Sequence, residues 1–593
     1  MIVLMKKITF LVSNQEKESF LKNLRKKGVL HVKNFQFSPG EDLNSLQDNI
    51  LAIDKAIDVL YVQGGGKIKL GRSKKADLLV EANNIISSFK QLTEIDKHLE
   101  VIERDINWFK NWGGFNPQDI KDLRDKGIFI KLYSCTVKEF EKIEDKSNVK
   151  IINSDKRNVF FVFLGYSDND SLGFASINLP DKNYEDLLKE KQVILKKTED
   201  LKSYIGSKVH LIESFNKQKD ILNKKLEFTN VKSGMSDNEE FSLLQGFCPA
   251  RDSKEVVNFS QSMGVGYLIE DPNELDETPT LIDNPKWISI VNPIFKFMNT
   301  LPGYQEYDIS LWFLVFFSIF FAMLIGDAGY GILFMLITFY ASKKLPQVPK
   351  APFFLIYLLS FTTIIWGAIT GTWFGFEKIA RLPFFSSMVI DKIDSFADGN
   401  QNFMIFICFV IGVIHLSIAH LLIASRIINS FKALAQIGWI MILWGIFFLA
   451  GHLVIGNVFP HFAGIVFSLG VVLVLVFSNF QKNIIKGILT SLADFPLTVI
   501  SSFSDVVSYL RLFAVGYASV IVAKSFNDMA LGVGFSSIFA SLGAGFILFF
   551  GHALNIILGF MAVIVHGIRL NMLEFSGHLG MQWSGKEYAP FKE

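Results

Sequence analysis

The chain has 593 residues, 50% of them hydrophobic and 14% aromatic, with 58 Phe and a formal net charge of +2. That balance gives no electrostatic footprint for a nucleic-acid partner, and three scattered cysteines, Cys135, Cys248 and Cys408, form no disulfide framework or metal spacing. A mean hydropathy of +0.32 is high for a soluble chain, yet 20% charged residues is high for a wholly embedded one, which implies two unlike halves.

Of 59 basic and 57 acidic residues, only 15 and 12 fall from Asp308 onward, so charge density drops about threefold at one boundary. The opening residues, Met1–Phe20, lack the long apolar run and small-residue cleavage site of a secretory signal, so the N-terminal half is expected in the cytoplasm. Residues 5–40 read as strand, helix, strand. Apolar residues then recur every three or four positions from about Asp42 to Trp112 (Ile50, Ile53, Ile57, Leu60, later Leu92, Ile95, Leu99, Ile102, Ile106), predicting long helix interrupted near Gly64–Gly66. Residues 113–180 read as a small α/β unit with strands around Phe129–Leu132 and Val159–Leu164. A second helical stretch over about Asn183–Phe228 suggests a helical hairpin with a globular tip; two ordinary packed helices are the alternative. Gly64-Gly-Gly-Lys67 is no P-loop, because Tyr61 replaces the first glycine and Ile68 the Ser/Thr.

Beyond Asp308 eight apolar segments approach the ~20 residues needed to cross a bilayer: 309–325, 327–342, 352–376, 402–425, 435–457, 461–480, 495–524 and 540–572. The first two meet at Gly326-Asp-Ala-Gly-Tyr-Gly331, where Asp327 reads as holding a tight turn. With the N-terminus inside, inner connections hold Lys343, Lys344, Lys350, Arg426, Lys432, Lys482 and Lys486 against Asp494 alone. Outer ones hold Lys378, Arg381, Lys392 and Lys524, countered by Glu377, Asp391, Asp394, Asp398 and Asp528. This bias places both termini in the cytoplasm.

Arg511 lies in the middle of the seventh segment, at a cost of roughly 2.5–3.5 kcal/mol or more, so it requires a counter-charge. Steps of three and four from it give Ser501, Ser504, Ser508, Arg511, Val515, Ala518 and Val522, a face on which hydroxyls can line a hydrated path. Asp505 points elsewhere. In the last segment His552, Asn555, Gly559, Ala562, His566 and Arg569 form a second polar stripe, while Glu574 falls near the inner boundary. The competing reading is that small and polar groups merely lock helices together. His415, His420 and His452 read as packing or interface residues. With no acid on either stripe, the missing carboxylate is expected from another polypeptide, and arginine suits that role because it stays protonated and presents a planar fork.

In these residues the chain resembles the a subunit (subunit I) of V-type and A-type rotary ATPases, over nearly its whole length. The matching stretches are Ser504-Asp-Val-Val-Ser-Tyr-Leu-Arg-Leu512, Gly551-His-Ala-Leu-Asn555, Val565-His-Gly-Ile-Arg-Leu570 with Glu574-Phe575, and Phe320–Gly331. Trp366–Gly375, Gly412-Val-Ile-His-Leu416 and Leu244–Arg251 add to them. The resemblance implies an α-helical membrane protein of about eight transmembrane helices, the last two long and tilted, with an N-terminal α/β cytoplasmic domain of two lobes joined by a coiled-coil hairpin. Residues 1–307 would form the stator arm: a proximal lobe from 1–45 and 231–300, arms at about 46–112 and 181–230, and a distal lobe at 113–180. Residues 308–593 would form the membrane domain with ion half-channels.

The resemblance also implies that Arg511 attracts the Glu carboxylate of a rotating c (K) ring and blocks leakage between two half-channels, with Arg569 matching the second arginine of the family. Implied partners are that ring, the peripheral-stalk E/G subunits, the central-stalk C/d subunit and the lipid of the plasma membrane, with no cofactor and no ATP catalysis in this chain. Residues expected to serve ion translocation are Arg511, Arg569, His566, Asn555, His552, Ser504, Ser508 and Glu574. Eukaryotic members carry a histidine and an acid where this chain has Ser519 and Gly559, so the shorter prokaryotic branch fits best. The rival expectations are a stand-alone secondary transporter, although no inverted repeat is evident, and a membrane-anchored scaffold.

Overall fold

The computed structural model describes residues 1–33, 41–63, 77–143, 147–167, 172, 174–397, 399–479, 484–534 and 536–593. The break at Gly64–Gly66, the Gly64–Lys67 run, Lys482 and Asp398 lie outside them. In the N-terminal part, strand β1 (Met5–Ser13) turns alternate residues Ile8, Phe10 and Val12 inward, as a strand with one covered face must. They meet Phe20, Leu21 and Leu24 of the helix Lys17–Lys27. That helix ends at Gly28, whose φ of 63° supplies a left-handed cap. Strand β2 (His31–Lys33) follows. Two helices, Glu41–Gln63 and Leu78–Trp112, then run against Ile212–Ser233 and Tyr184–Ser207 through buried Ile53, Leu60, Ile85, Ile205 and Phe215 and, further along, Ile102, Phe109 and Ile194.

In sequence between Leu78–Trp112 and Tyr184–Ser207 comes a three-stranded antiparallel sheet of β3 (Phe129–Thr136), β4 (Val149–Ser154) and β5 (Asn158–Gly165), with β5 central and Phe160 against Trp112. The chain then returns to complete the first sheet with β6 (Ser236–Asp237), β7 (Phe241–Pro249) and β8 (Gly266–Glu270). The order is β2-β7-β1-β8, with β6 paired to β7.

Among the described residues after 308, five helices are long and apolar enough to cross a membrane: Lys350–Thr370, Gln401–Arg426, Lys432–Ile455, Ile485–Val533 and Ile538–His578. A sixth span results if the pair Ser310–Ile325 and Ala328–Lys344, bent by 117°, counts as one, and His461–Phe477 is a shorter apolar helix of 17 residues. The eight segments read from hydropathy therefore correspond to five or six candidate spans and one shorter helix. At the bend Gly326 has φ 70°. The buried Asp327 carboxylate accepts the backbone N–H groups of Gly329, Tyr330, Phe374 and Gly375 at 2.8–3.3 Å, so the turn-holding reading of Asp327 stands.

The last two segments are longer than hydropathy suggested. At 1.5 Å per residue, 49 and 41 residues make roughly 74 and 62 Å, at least twice the ~30 Å hydrocarbon thickness. The chain then turns back: Phe591 enters the core of the first sheet, so the C-terminal tail and the N-terminal lobe lie on one side.

Candidate ion-path site

The two long helices pack along each other and bring the polar residues into three groups. In the middle, Glu574 Oε1 lies 3.4 Å from Arg511 Nη2 and 3.4 Å from Arg569 Nε. The expectation that no acid of this chain serves the arginines is thereby corrected, and so is the reading of Glu574 as a boundary charge, for its side chain is 3% exposed. The cause is local geometry. Val563–Gly567 and Leu570–Phe575 are π-helical. At about 100° per residue an α-helix would set Glu574 roughly 140° round from Arg569. Where hydrogen bonds run from i to i+5, five steps make about one turn and the two align.

One carboxylate cannot neutralise two guanidiniums. Oε1 is shared at long distances, Oε2 is buried without a hydrogen-bond partner among the described residues, and the trio of Arg511, Arg569 and Glu574 carries one positive charge more than negative, with Asp505 on the same cavity wall. His566 lies within electrostatic reach of both arginines, its Nδ1 likewise unpartnered. Ser504 is exposed and Ser508 half-buried, and the structure joins neither to the cluster.

On the side of the N-terminal lobe, a cavity of about 460 Å³ opens beside Arg569 and Glu574, lined also by Thr498, Ser501, Ser502, Asp505, His420, Gln436 and His578. Asp505 faces His578, with Oδ2 3.2 Å from Nε2, and not Arg511, as its helical phase indicated. His420, read as a packing or interface residue, is buried, stacks beside Trp439 and bonds Gln436 and His578, and it also lines this cavity.

Beyond Arg511 on the opposite side lies a closed polar network. Asn527 Nδ2 donates to the Phe374 carbonyl (2.7 Å), so its Oδ1 accepts from His552 Nε2 at 3.1 Å. The other nitrogen of a neutral His552 then accepts from the Tyr330 hydroxyl at 2.7 Å. The Tyr330 oxygen in turn accepts from Asn555 Nδ2 (3.1 Å), which also donates to the Ser519 carbonyl, while Ser519 Oγ donates to Asn555 Oδ1. Asn527 also lines a second cavity of about 470 Å³ with Glu377, Lys378, Arg381, Lys524 and Asp528. Sequence reading found His552 and Asn555 but missed Tyr330, Ser519 and Asn527, whose role depends on contacts across 25–225 residues.

No family model matches the sequence. Among known proteins, the V-type ATP synthase subunit I of Borreliella burgdorferi is 35% identical over 623 residues, covering 100% of both chains. V-type ATP synthase subunit I 1 of Treponema pallidum is 27% identical over 633 residues, again 100% of each. The A-type ATP synthase subunit I of Methanocaldococcus jannaschii is 25% identical, covering 98% of this chain and 88% of its own. The crystal structure of the cytoplasmic N-terminal domain of subunit I, homolog of subunit a, of V-ATPase covers 45% of this chain at 13% identity and a TM-score of 0.23, a likeness too slight to bear on the arrangement. Full-length identity at this level settles the relationship: the chain belongs to the family of subunit I of V-type and A-type ATP synthases.

Proposed function

We propose that this chain is the membrane stator subunit of a V/A-type rotary ATPase and that it carries the two ion half-channels. The observation that supports it is a pair of arginines, Arg511 and Arg569, that share the single carboxylate of Glu574 between an inner polar cavity and an outer polar network. The excess cation draws the Glu carboxylate of a rotating c-ring once that group has released its ion. Arg511 thereby bars direct passage between the half-channels, and ions cross only as the ring turns. The N-terminal part anchors the E/G peripheral stalks and meets the central-stalk C/d subunit. The chain does not itself hydrolyse ATP, and both termini face the cytoplasm of a cell whose plasma membrane it spans.

The test is the assembled complex in proteoliposomes. Arg511→Ala is expected to abolish ATP-driven ion uptake while assembly persists; full uptake in that variant would remove Arg511 from the mechanism. Glu574 favours a second reading, in which the guanidiniums and this carboxylate only lock the two long helices. Unchanged transport with both arginines replaced would support it.

A further inference from the structure

One wall of the inner cavity carries a chain of hydrogen bonds assembled from four separate elements. Gln436 Oε1 lies 2.7 Å from His420 Nδ1, His420 Nε2 lies 3.0 Å from His578 Nδ1, and His578 Nε2 lies 3.2 Å from Asp505 Oδ2. His420 is stacked beside Trp439, with ring centroids 6.2 Å apart at 13°. The ionisable groups around the two imidazoles are Asp505 from the first long helix, Arg569 and Glu574 from the second, and His415 further along the helix that bears His420. The 432–450 helix contributes no ionisable group there, only Gln436 and Trp439.

Proton counting separates this chain from the outer network, where one neutral tautomer satisfies every group. Three bonds need three donors. With both imidazoles neutral, the bonds close only if the Gln436 amide donates to His420 Nδ1, His420 Nε2–H donates to His578 Nδ1, and His578 Nε2–H donates to the Asp505 carboxylate. With one more proton they close the other way: Gln436 turns its oxygen to His420 Nδ1–H, and a doubly protonated His578 donates to both His420 Nε2 and Asp505. No hydrogen bond is lost in either state. Between them, a proton is gained at His420 Nδ1 and the His420 Nε2 proton crosses 3.0 Å to His578 Nδ1. Release of the His578 Nε2 proton to Asp505, and from it to water, balances the one that His420 Nδ1 takes from cavity water; both rings are then Nδ1–H tautomers, and turning them together with the Gln436 amide restores the first state.

We infer that His420, His578 and Asp505 form a proton relay on the wall of the inner cavity, with Gln436 as the amide that turns to match either state of His420, and that the ion exchanged on this side is the proton. The inference rests on the half-channel reading above and deepens it. An imidazole chain of this kind hands on protons and has no means of handing on Na⁺.

The experiment uses the whole complex in Na⁺-free proteoliposomes, following ATP-driven acidification across a pH series in H₂O and D₂O. His420→Gln, His578→Gln and Asp505→Asn are each expected to slow proton uptake by at least about tenfold, with an altered pH profile and solvent isotope effect. Added imidazole, small enough for the cavity, is expected to restore uptake in His578→Ala. Should a histidine variant fail to assemble, Asp505→Asn, which keeps a hydrogen-bond acceptor and removes the base, carries the test. Wild-type rate, pH profile and isotope effect in Asp505→Asn and the assembled histidine variants, with Arg511→Ala inactive, would overturn the relay and leave the half-channel reading intact. Protonophore-insensitive ²²Na⁺ uptake would also overturn it. Wild-type uptake in Arg511→Ala would overturn the parent reading instead.

Discussion

Glu574 couples two guanidiniums of unequal burial, for the Arg511 side chain is 22% exposed and that of Arg569 52%. Solvent screening should reduce the Arg569 pair to about 0–1 kcal/mol. The more buried Arg511 pair should exceed it, since a charge left without its partner in a drier setting costs more. A double-mutant cycle on thermal unfolding of the detergent-solubilised complex, with Glu574→Gln against each arginine→Gln, is expected to give the larger coupling for Arg511. Equal couplings would show that burial does not set the strength of this cluster. Arg511 and the histidine stripe were legible in the sequence because a charge or imidazole inside an apolar run has few structural uses. Glu574 was not, because counting in steps of three and four assumes an α-helix and the turn that delivers it is π-helical. His420 and Asp505 became meaningful only through His578, 158 and 73 residues away. No local pattern encodes such pairs.

At the scale of elements, the bend between Ser310–Ile325 and Ala328–Lys344 depends on one carboxylate. Asp327 Oδ1 accepts from Gly329, Tyr330 and Phe374, and Oδ2 from Gly375. Asp327→Asn can keep the first three bonds but turns an amide N–H₂ toward the Gly375 N–H, whereas Asp327→Ala leaves all four donors unmet. An unmet buried donor costs about 1–3 kcal/mol. The complex is therefore expected to lose thermal stability in the order Ala, then Asn, then wild type; a milder effect for Ala would mean that water can enter and replace the carboxylate. The same bend abuts the first long helix. A Cβ placed on Gly516 would clash with the Met323 carbonyl oxygen, so Gly516→Ala must push the helix Ser310–Ile325, which leads into Asp327, away from the helix that carries Arg511. Overpacking of this kind costs about 1–3 kcal/mol, and the variant should show reduced thermal stability and slowed ATP-driven uptake together. Unchanged values would show that the contact yields freely. The Gly-Asp-Ala-Gly-Tyr-Gly run announced this turn in the sequence, because glycines beside an acid suit little else. The full length of the two long helices was hidden, since a hydropathy window ends where Asp494 and Lys486 dilute the apolar run although the helix continues.

At the scale of the molecule, the helix bearing Arg569 and Glu574 is tethered to the N-terminal lobe by the tail that follows it. Phe591 is 2% exposed in the core beneath β1 and stacks near Phe228. Its N–H donates to the Leu30 carbonyl, and the Tyr588 hydroxyl to that of Val29. Strain in the N-terminal arm can thus reach the two-arginine helix through a few residues of backbone. His31 makes this joint sensitive to acid. Its Nδ1 lies 3.1 Å from the Ala589 amide nitrogen and 3.0 Å from its carbonyl oxygen, so a neutral ring can accept the amide proton and a protonated one cannot. Burial is the main cause that holds His31 below the ordinary histidine pKa, with the nearby Lys586 acting the same way and the Ala589 carbonyl opposing both. A histidine with a depressed pKa binds protons more readily when the tail is released. Docking is therefore at full strength above about pH 6.5 and weakens as the pH falls through that value toward the depressed one. Amide hydrogen exchange at Tyr588, Ala589 and Phe591, corrected for its intrinsic pH dependence, is expected to show less protection at about pH 5.5 than at about pH 8. His31→Gln should flatten that difference. Equal protection in the wild type at both values would mean that the tail is held by Phe591 and the backbone bonds alone, and that the joint carries force without sensing pH.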